Sequence, residues 1–208
     1  MNNKIKTLAK GIALISGCAL TSVAIANTAT IPPAGQICVT CHGVEGEGIE
    51  PLGPRLAGLS KEYITTQLQH FQAGVRQNAT MMPMAMTLQG DGIEQVASYF
   101  SAKSPKTEIK PVLRGEQITF SDDTARLAYQ GDWSRGLPAC VTCHGPSGLG
   151  GGLFPRLAGQ QASYIKTQLL AWQAGTRKGD VDGMMANVAN KLTAAEVDAL
   201  ANYFANLK

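Results

Sequence analysis

Aromatic side chains and net charge are both scarce in this sequence of 208 residues. Phe, Trp and Tyr make up only 6% of it, which argues against two large aromatic-rich cores and leaves each interior to be filled partly by another group. The formal net charge is +3, and Lys4, Lys6 and Lys10 supply all of it, because residues 27–208 carry 15 basic and 15 acidic side chains. A chain without a basic excess does not have the composition of a nucleic-acid-binding protein, so we expect no nucleic-acid partner.

Long apolar runs are confined to the first 26 residues. A basic stretch ends at Lys10, an apolar run starts at Gly11, and Ala24-Ile25-Ala26 provides the small-x-small pattern of a secretory cleavage site. The run is shorter than the about 20 apolar residues that span a bilayer, and hydroxyl side chains interrupt it. We therefore predict a signal peptide over residues 1–26 and a periplasmic protein that is soluble after cleavage. Lipidation at Cys18, which ends a lipoprotein-like box, stays open as an alternative.

Cysteine and histidine are few, with five and three copies, but most of them fall in an internal repeat. Cys38–Gly43 (CVTCHG) recurs as Cys140–Gly145, and Pro54–Gly58 (PRLAG) recurs as Pro155–Gly159. A period of about 100 residues indicates a duplicated domain rather than a solenoid of short repeats. The predicted organisation has four parts: a signal peptide at 1–26, a first domain at 27–104, a proline-containing linker at 105–118 and a second domain at 119–208.

The two copies differ in length. Arg76 and Arg177 lie 101 positions apart, whereas Met81 and Met185 lie 104 apart, so the second copy has three extra residues around Gly179–Gly183. The first copy has a short lead-in, because only about eleven residues, interrupted by two prolines, separate the predicted cleavage site from its first cysteine. We therefore expect its N-terminal helix to be short or missing, and the first site to be more exposed or covered by a partner.

Apolar residues follow a helical period in both copies. Ile64, Leu68 and Phe71 form an i, i+4, i+7 stripe that recurs in the second copy, and each copy closes with a second amphipathic segment. Thr193 and Glu196 have the spacing of a capping box at the start of the last of these segments. No alternating pattern predicts a strand, so the expected fold class is all-α.

The repeated Cys-x-x-Cys-His motif is the signature of covalent c-type haem attachment. Positions i, i+3 and i+4 share one face of a helix, so Cys38 and Cys41 can bond the two vinyl groups of one haem while His42 turns toward its iron. The second copy offers the same three groups: Cys140, Cys143 and His144. The sequence thus predicts two covalently bound haem c groups.

Two other uses of paired cysteines fit the sequence less well. A single structural zinc site would leave His42 and His144 without a role and would need ligands about 100 residues apart to converge. The cysteines could also form disulfides or a thioredoxin-like redox pair. The redox pair belongs to a strand-rich fold, which the sequence does not predict. Haem attachment is therefore the preferred interpretation.

Methionine is the expected sixth ligand, since a methionine beside histidine raises the reduction potential of haem iron. Measured back from Leu88 and Leu192, the one methionine position that the copies share is Met81 in the first and Met185 in the second. The other methionines of the two clusters are interpreted as core residues: Met82, Met84, Met86 and Met184. Each iron is thus predicted to have one histidine and one methionine ligand.

Other polar residues give weaker signals. Arg55 and Arg156 are either partners of the haem propionates or solvent-exposed charges. Pro54 and Pro155 are candidates to accept, through their carbonyl groups, a hydrogen bond from the ligating histidines. The third histidine, His70, has an alanine opposite it in the second copy, so it takes no part in the shared design and is interpreted as a residue of surface or helix-face packing.

With these motifs in place, residues 34–208 resemble the c4-type dihaem cytochromes. The resemblance rests on matching residues in both halves: Cys38–His42, Pro54–Gly58, Met81, Cys140, Phe154–Gly159 and Met185. It implies two class I cytochrome c domains related by a pseudo-twofold axis. The iron ligands that it carries over are those given by the repeat: His42, Met81, His144 and Met185.

The resemblance further implies an electron carrier, periplasmic or loosely membrane-associated, that receives electrons from a donor such as a cytochrome bc complex and passes them to an acceptor such as a terminal oxidase. Six-coordinate irons would leave no room for a substrate, so no catalytic activity is expected. The alternative is a haem subunit of a periplasmic dehydrogenase complex, as in flavocytochrome sulfide dehydrogenase. An enzyme such as a peroxidase needs a vacant or unusual axial position and ranks last.

Overall fold

The fold is described for residues 30–106, 120 and 122–207 of a computed structural model. Over these residues it consists of helices and isolated bridges, without a β-strand, so the all-α prediction is confirmed. The expected signal peptide lies outside the described residues, and so does most of the expected linker, from residue 107 onward. No helix in the described part of the chain is long and apolar enough to cross a membrane.

The first half folds around one central helix. Its helices are α1 (Val39–His42), α2 (Lys61–Gln72), α3 (Met81–Met86) and α4 (Gly92–Ser101). Helix α2 packs against both α3 and α4, and the short 3₁₀ turn Pro33–Gly35 packs against α4. The predicted stripe of Ile64, Leu68 and Phe71 is buried here against Phe100 of α4, which confirms the helical period. Helix α2 ends just before Gly74, whose positive φ of 69° allows the chain to turn away.

The second half repeats this plan and adds one helix. Its helices are α5 (Asp123–Gln130), α6 (Cys140–His144), α7 (Ala162–Gln173), α8 (Met184–Asn190) and α9 (Ala194–Ala205). Helix α7 packs against α8 and α9, as α2 does against α3 and α4. Helix α5 packs against α6 and α9 and has no counterpart among the described residues of the first half. The predicted capping box of Thr193 and Glu196 is present at the start of α9.

The halves meet through the loops that follow α2 and α7. Arg76 and Arg177, which are equivalent in the repeat, lie opposite each other in an antiparallel bridge. The Gln77 N–H donates to the Thr176 carbonyl at 2.8 Å, and the Lys178 N–H donates to the Val75 carbonyl at 3.0 Å. Equivalent residues that face each other are expected at a twofold axis, so this bridge marks the pseudo-twofold relation of the two halves.

Candidate haem sites

Each attachment motif folds as one turn of helix. Cys38 stands directly before α1 with helical backbone angles (φ −67°, ψ −34°), so Cys38, Cys41 and His42 keep the i, i+3, i+4 relation of a helix. In α6 the whole motif Cys140–His144 is helical. Both histidines are buried, with 6% of their surface exposed, whereas the cysteines are half-buried or exposed. The cysteines and the histidine of each motif therefore share one face of a short helix.

The Nδ1 nitrogen of each of these histidines has a backbone partner. His42 Nδ1 donates to the carbonyl oxygen of Pro54 at 2.8 Å, and His144 Nδ1 donates to that of Pro155 at 2.8 Å. With Nδ1 protonated, Nε2 keeps its lone pair for a metal. Burial lowers the pKa of both imidazoles, although the hydrogen bonds to the prolines oppose the shift, so the neutral form that binds metal is favoured at neutral pH. The hydrogen bonds that the sequence predicted to the two prolines are present.

The surroundings of the cysteines disfavour the other uses of these residues. Burial raises the pKa of the Cys38 thiol, and it raises that of Cys140 to about 11. A redox-active pair needs the opposite, a thiol whose pKa is lowered toward neutrality. Within the described ranges, no three His, Cys, Asp or Glu side chains are grouped so that they could hold a metal ion.

A cavity of about 500 Å³ lies beside the second motif. Its wall is mostly apolar and includes Cys140, Cys143 and His144 together with Met185. A volume of this size lies within the usual range for cofactor sites, whose walls are apolar with a few polar groups. The cavity thus brings together the four residues of the second half that the sequence predicted to hold a haem.

The methionines of α3 and α8 differ in burial. Met185 packs against the core of the second half, whereas its neighbour Met184 also lines the cavity but is 39% exposed. In the first half Met81 and Met82 both pack against the core, and Met86 is 55% exposed. The core role predicted for Met86 and Met184 is therefore wrong, because these short helices leave one face in solvent. Burial agrees with Met185 and Met81 as ligands, and the assignment stays a prediction.

Two arginines are buried at the junction of the halves. Arg76 and Arg177 each have only 5% of their surface exposed. Arg76 donates to the Tyr164 hydroxyl at 2.7 Å, and Arg177 donates to the Tyr63 hydroxyl at 2.9 Å, so each half holds the arginine of the other. A glutamine from each half accepts bonds from both guanidinium groups: Gln67 and Gln168. Neither arginine forms an ion pair with a carboxylate of the described residues.

This arginine network leaves hydrogen-bond donors free beside the second cavity. Arg177 and Trp172 both line the cavity, and among the described residues Arg177 Nε and Trp172 Nε1 are buried without a partner. A buried cation and unpaired buried donors are costly unless an anion or an acceptor satisfies them. A haem carries two carboxylates as its propionates, so these residues fit a haem bound in this cavity.

Sequence reasoning missed the arginine network, although the repeat contained a signal for it. Arg76 recurs as Arg177, and Tyr63 recurs as Tyr164, at one constant offset. A polar residue that both copies keep at the same position of a buried helix end is a candidate for a shared interface. The partners could not be read from the sequence, because each bond joins residues about 90–115 positions apart.

The structure places Arg55 at the junction of the halves and Arg156 in the wall of the second cavity. The Arg55 guanidinium donates to the Gly159 carbonyl of the other half, and its backbone exchanges two hydrogen bonds with the Gln160 side chain, at 3.0 and 2.9 Å. Arg55 is therefore an interface residue and not a free surface charge, and its other predicted role, as a partner of a haem propionate, stays a prediction. Arg156 lines the second cavity, and its Nε donates to the Ala158 carbonyl at 2.9 Å.

Comparison with known proteins agrees with this geometry. The Cytochrome c family model matches residues 35–102 and 137–208. A thiosulfate dehydrogenase electron acceptor from Thiomonas intermedia is 41% identical over 189 residues, which cover 90% of this chain and 86% of that protein. A cytochrome c4 from Stutzerimonas stutzeri is 34% identical over 199 residues, which cover 88% of this chain and 92% of that protein.

Two solved structures are similar over most of the chain. Reduced recombinant cytochrome c4 from Pseudomonas stutzeri has a TM-score of 0.71 at 32% identity, over 84% of this chain and 95% of that one. The thiosulfate dehydrogenase TsdBA from Marichromatium purpuratum has a TM-score of 0.72 at 42% identity over 81% of this chain, which spans only 36% of that one. The chain therefore belongs to the cytochrome c family. It is a dihaem cytochrome of the c4 type that binds two covalently attached haem c groups and transfers electrons.

Proposed function

We propose that this chain accepts electrons from a periplasmic thiosulfate dehydrogenase and passes them on toward a terminal oxidase. Two relatives named thiosulfate dehydrogenase electron acceptor are 41% and 42% identical to it, whereas those named cytochrome c4 are 31–36% identical. The similar chain from Marichromatium purpuratum is itself a thiosulfate dehydrogenase. The proposal joins the two roles that the sequence predicted, a partner of a dehydrogenase and a carrier.

The observation that carries electron transfer through this chain is that its second site is completed by the first half. Tyr63 and Gln67 of α2 lie in the wall of the cavity beside Cys140–His144, and they also hold Arg177. A site with walls from both halves, together with the hydrogen bonds across the junction, holds the two domains in one arrangement. A fixed junction suits transfer between two cofactors, because little has to reorganise when the charge moves.

The haem groups supply reversible one-electron chemistry at iron. We assign the residues that would hold them as follows: Cys38 and Cys41 would attach the first haem covalently and His42 and Met81 would bind its iron, and Cys140 and Cys143 would attach the second haem and His144 and Met185 would bind its iron. Pro54 and Pro155 orient the two imidazoles through their carbonyl groups. Arg177 and Trp172 offer the second haem their free donors.

Location and domain limits form part of the same proposal. We place the mature protein in the periplasm, beginning at residue 27, with domains at 27–104 and 119–208 joined by the linker at 105–118. The family matches at 35–102 and 137–208 fall inside these domains. Catalysis is no part of the proposal, because a methionine ligand would close the position that a substrate needs.

The test mixes oxidised, haem-loaded protein with a catalytic thiosulfate dehydrogenase and thiosulfate, and follows the α band of reduced c-type haem by stopped flow. We expect rapid reduction of both haems that requires the catalytic protein. Reduction by a quinol-oxidising bc complex, with none by the dehydrogenase, would favour the second candidate, a c4-type shuttle between respiratory complexes. Two relatives named cytochrome c4 support that candidate, and the match covers 92% of the length of each.

Two matched variants control this experiment. Met81→His and Met185→His each lower the potential of one haem, because histidine in place of methionine no longer raises it. We expect the dehydrogenase to reduce only the unaltered haem in each variant. Full reduction of both haems in both variants would contradict the assigned methionine ligands, but the proposed electron donor would still stand.

A further inference from the structure

Two departures of this molecule from its internal symmetry lie in one place. His70 in α2 has Ala171 opposite it in α7, and the three-residue insertion around Gly179–Gly183 has no counterpart in the first half. The His70 ring packs against Gly179, so that a Cβ placed on Gly179 would lie 2.7 Å from His70 Cε1 and 2.9 Å from its Nδ1. The loop with the insertion therefore packs against His70, the one histidine without a counterpart in the repeat.

The contact between His70 and Gly179 lies in the wall of the second cavity. His70 lines the cavity, and so do Lys178, Gly179 and Asp180 of the loop that carries the insertion. Because α2 belongs to the first half, His70 reaches the second site from the neighbouring domain. The surface role predicted for His70 is therefore incomplete: the packing of the halves, which the sequence does not specify, places its half-buried side chain at a cofactor cavity.

We propose that His70 is a positioning residue of the second haem site that couples the reduction potential of that haem to pH. The proposal rests on the assignment of the second haem to this cavity. An electron that enters the site from a redox partner adds one negative charge, and a nearby imidazolium is stabilised by that charge. At pH values between its pKa in the oxidised protein and its pKa in the reduced protein, His70 would take up a proton from solvent as the electron arrives and release it when the electron leaves.

The charged groups around His70 set the direction of this coupling. The charged groups that act on His70 are Arg76, Arg177 and Asp180. The other titratable groups in the wall of the same cavity include Lys178, Tyr63 and Tyr164. Burial and the two arginines lower the pKa of His70 from its ordinary value of 6.5, and Asp180 opposes the shift. These groups favour the neutral imidazole at neutral pH, which leaves His70 able to accept a proton.

The potential of the second haem should then depend on pH in one window. Below the pKa of His70 in the oxidised protein, the imidazole is protonated in both redox states, and above its higher pKa in the reduced protein it is neutral in both. Between these two values reduction takes up a proton, so the potential falls as pH rises. The sequence has only three histidines, and the other two are the proposed iron ligands, so His70 is the one free to titrate in this range.

The experiment is a spectroelectrochemical titration of both haems in the complete, haem-loaded protein between about pH 5 and pH 8, for the wild type and for His70→Gln. The component that Met185→His displaces identifies the second haem. We expect the wild-type potential of that haem to fall with rising pH, and His70→Gln to flatten this dependence while the first haem is unchanged. A flat dependence in the wild type, or a slope that survives in His70→Gln and so belongs to the propionates, overturns the proposal.

Two further variants separate coupling from a general structural role. Gly179→Ala keeps His70 but places a methyl group against its ring and against Val75, so it should weaken the slope while both haems remain. Ala171→His places a histidine at the equivalent position of the other half and should leave the second slope unchanged. Haem content and the near-infrared band of methionine-bound iron report failure of the haem assignment itself, independently of the slope.

Discussion

The two halves bury equivalent cores but cover them differently on the N-terminal side. In the second half α5 packs against α6 and α9, and its Leu127 and Ala128 are buried, with 5% and 0% of their surface exposed. In the first half the short turn Pro33–Gly35 packs against α4, the equivalent of α9, with Ile31 filling part of the same space. The helical turn of the attachment motif and its proline carbonyl are kept in both halves, whereas the covering element is exchanged. Cofactor attachment thus constrains the motif more tightly than its cover.

A second difference is an ion-pair cluster that only the second half has among the described residues. Arg135 donates to Asp132 at 2.8 Å and to Glu196 at 2.6 Å, and it ties the segment after α5 to the start of α9. The residue of the first half at the position of Glu196 is Gly92, which has no side chain for such a contact. The second half is therefore held by more contacts on this side, and four changes test this difference between the halves.

The largest effect should follow from removing one haem. Cys140→Ser combined with Cys143→Ser removes both thioether positions of the second half, so that haem is lost together with the group that fills its cavity of about 500 Å³. We expect one haem per chain by mass spectrometry and loss of the folded second half by circular dichroism. The matched variant is Cys38→Ser with Cys41→Ser, which should keep the second haem. Loss of both haems from each variant would show that the halves do not act as separate cofactor domains.

Replacing one axial methionine should have the next largest effect. Met81→His and Met185→His each exchange a thioether for an imidazole, so the potential of one haem should fall by a sizeable part of the roughly 0.8 V that axial ligands span. The near-infrared band of methionine-bound iron should lose about half of its intensity in each variant. Met82→His and Met184→His serve as matched controls from the same clusters, and they should leave both the band and the potentials in place. The reverse pattern would shift the ligand assignment by one residue.

Truncation of the cover should destabilise the second half more than the first. Leu127→Ala removes a buried side chain of α5 and should lower the free energy of unfolding of the second half by about 3 kcal/mol. Ile31→Ala is the matched change in the first half, where the side chain is only half-buried, so a loss of about 1 kcal/mol is expected there. Denaturant titration followed through the two haem signals measures both. Equal losses in the two halves would contradict the different covers.

The smallest effect concerns acid stability. Hydrogen bonds from Ser134 and Arg135 lower the pKa of Asp132 to about 2, and those from Arg135 also lower the pKa of Glu196. A carboxylate whose pKa is lowered by folding stabilises the folded state above its unfolded pKa, and this contribution is lost as pH falls through the folded value. Between about pH 4 and pH 2 the wild-type second half should therefore lose stability. The Arg135→Met variant lacks the contribution of Arg135 at every pH, so its loss over this range should be smaller. An unchanged acid transition in Arg135→Met would show that the cluster contributes nothing.

Features that are local in the sequence could be predicted, and features that depend on the docking of the halves could not. The attachment helices, the stripe of α2 and the capping box of α9 follow from spacing over a few residues, and each is present. Cys-x-x-Cys-His needs no distant partner to be recognised. The hydrogen bond from Arg76 to Tyr164 and the contact of His70 with Gly179 join residues about 90–110 positions apart, so no local sequence pattern could predict them. The contact of Arg55 with Gly159 could not be predicted for the same reason, since Gly159 belongs to the other half.

One measurement tests the central claim most directly, which is that each half holds one haem through a histidine and a methionine. It is a redox titration of the purified protein followed in the visible and the near-infrared range. We expect two haems per chain, each with the near-infrared band of methionine-bound iron(III) and each with a positive potential. A haem that lacks this band, or whose sixth position opens on reduction, would contradict the symmetric carrier and indicate a catalytic site in that half.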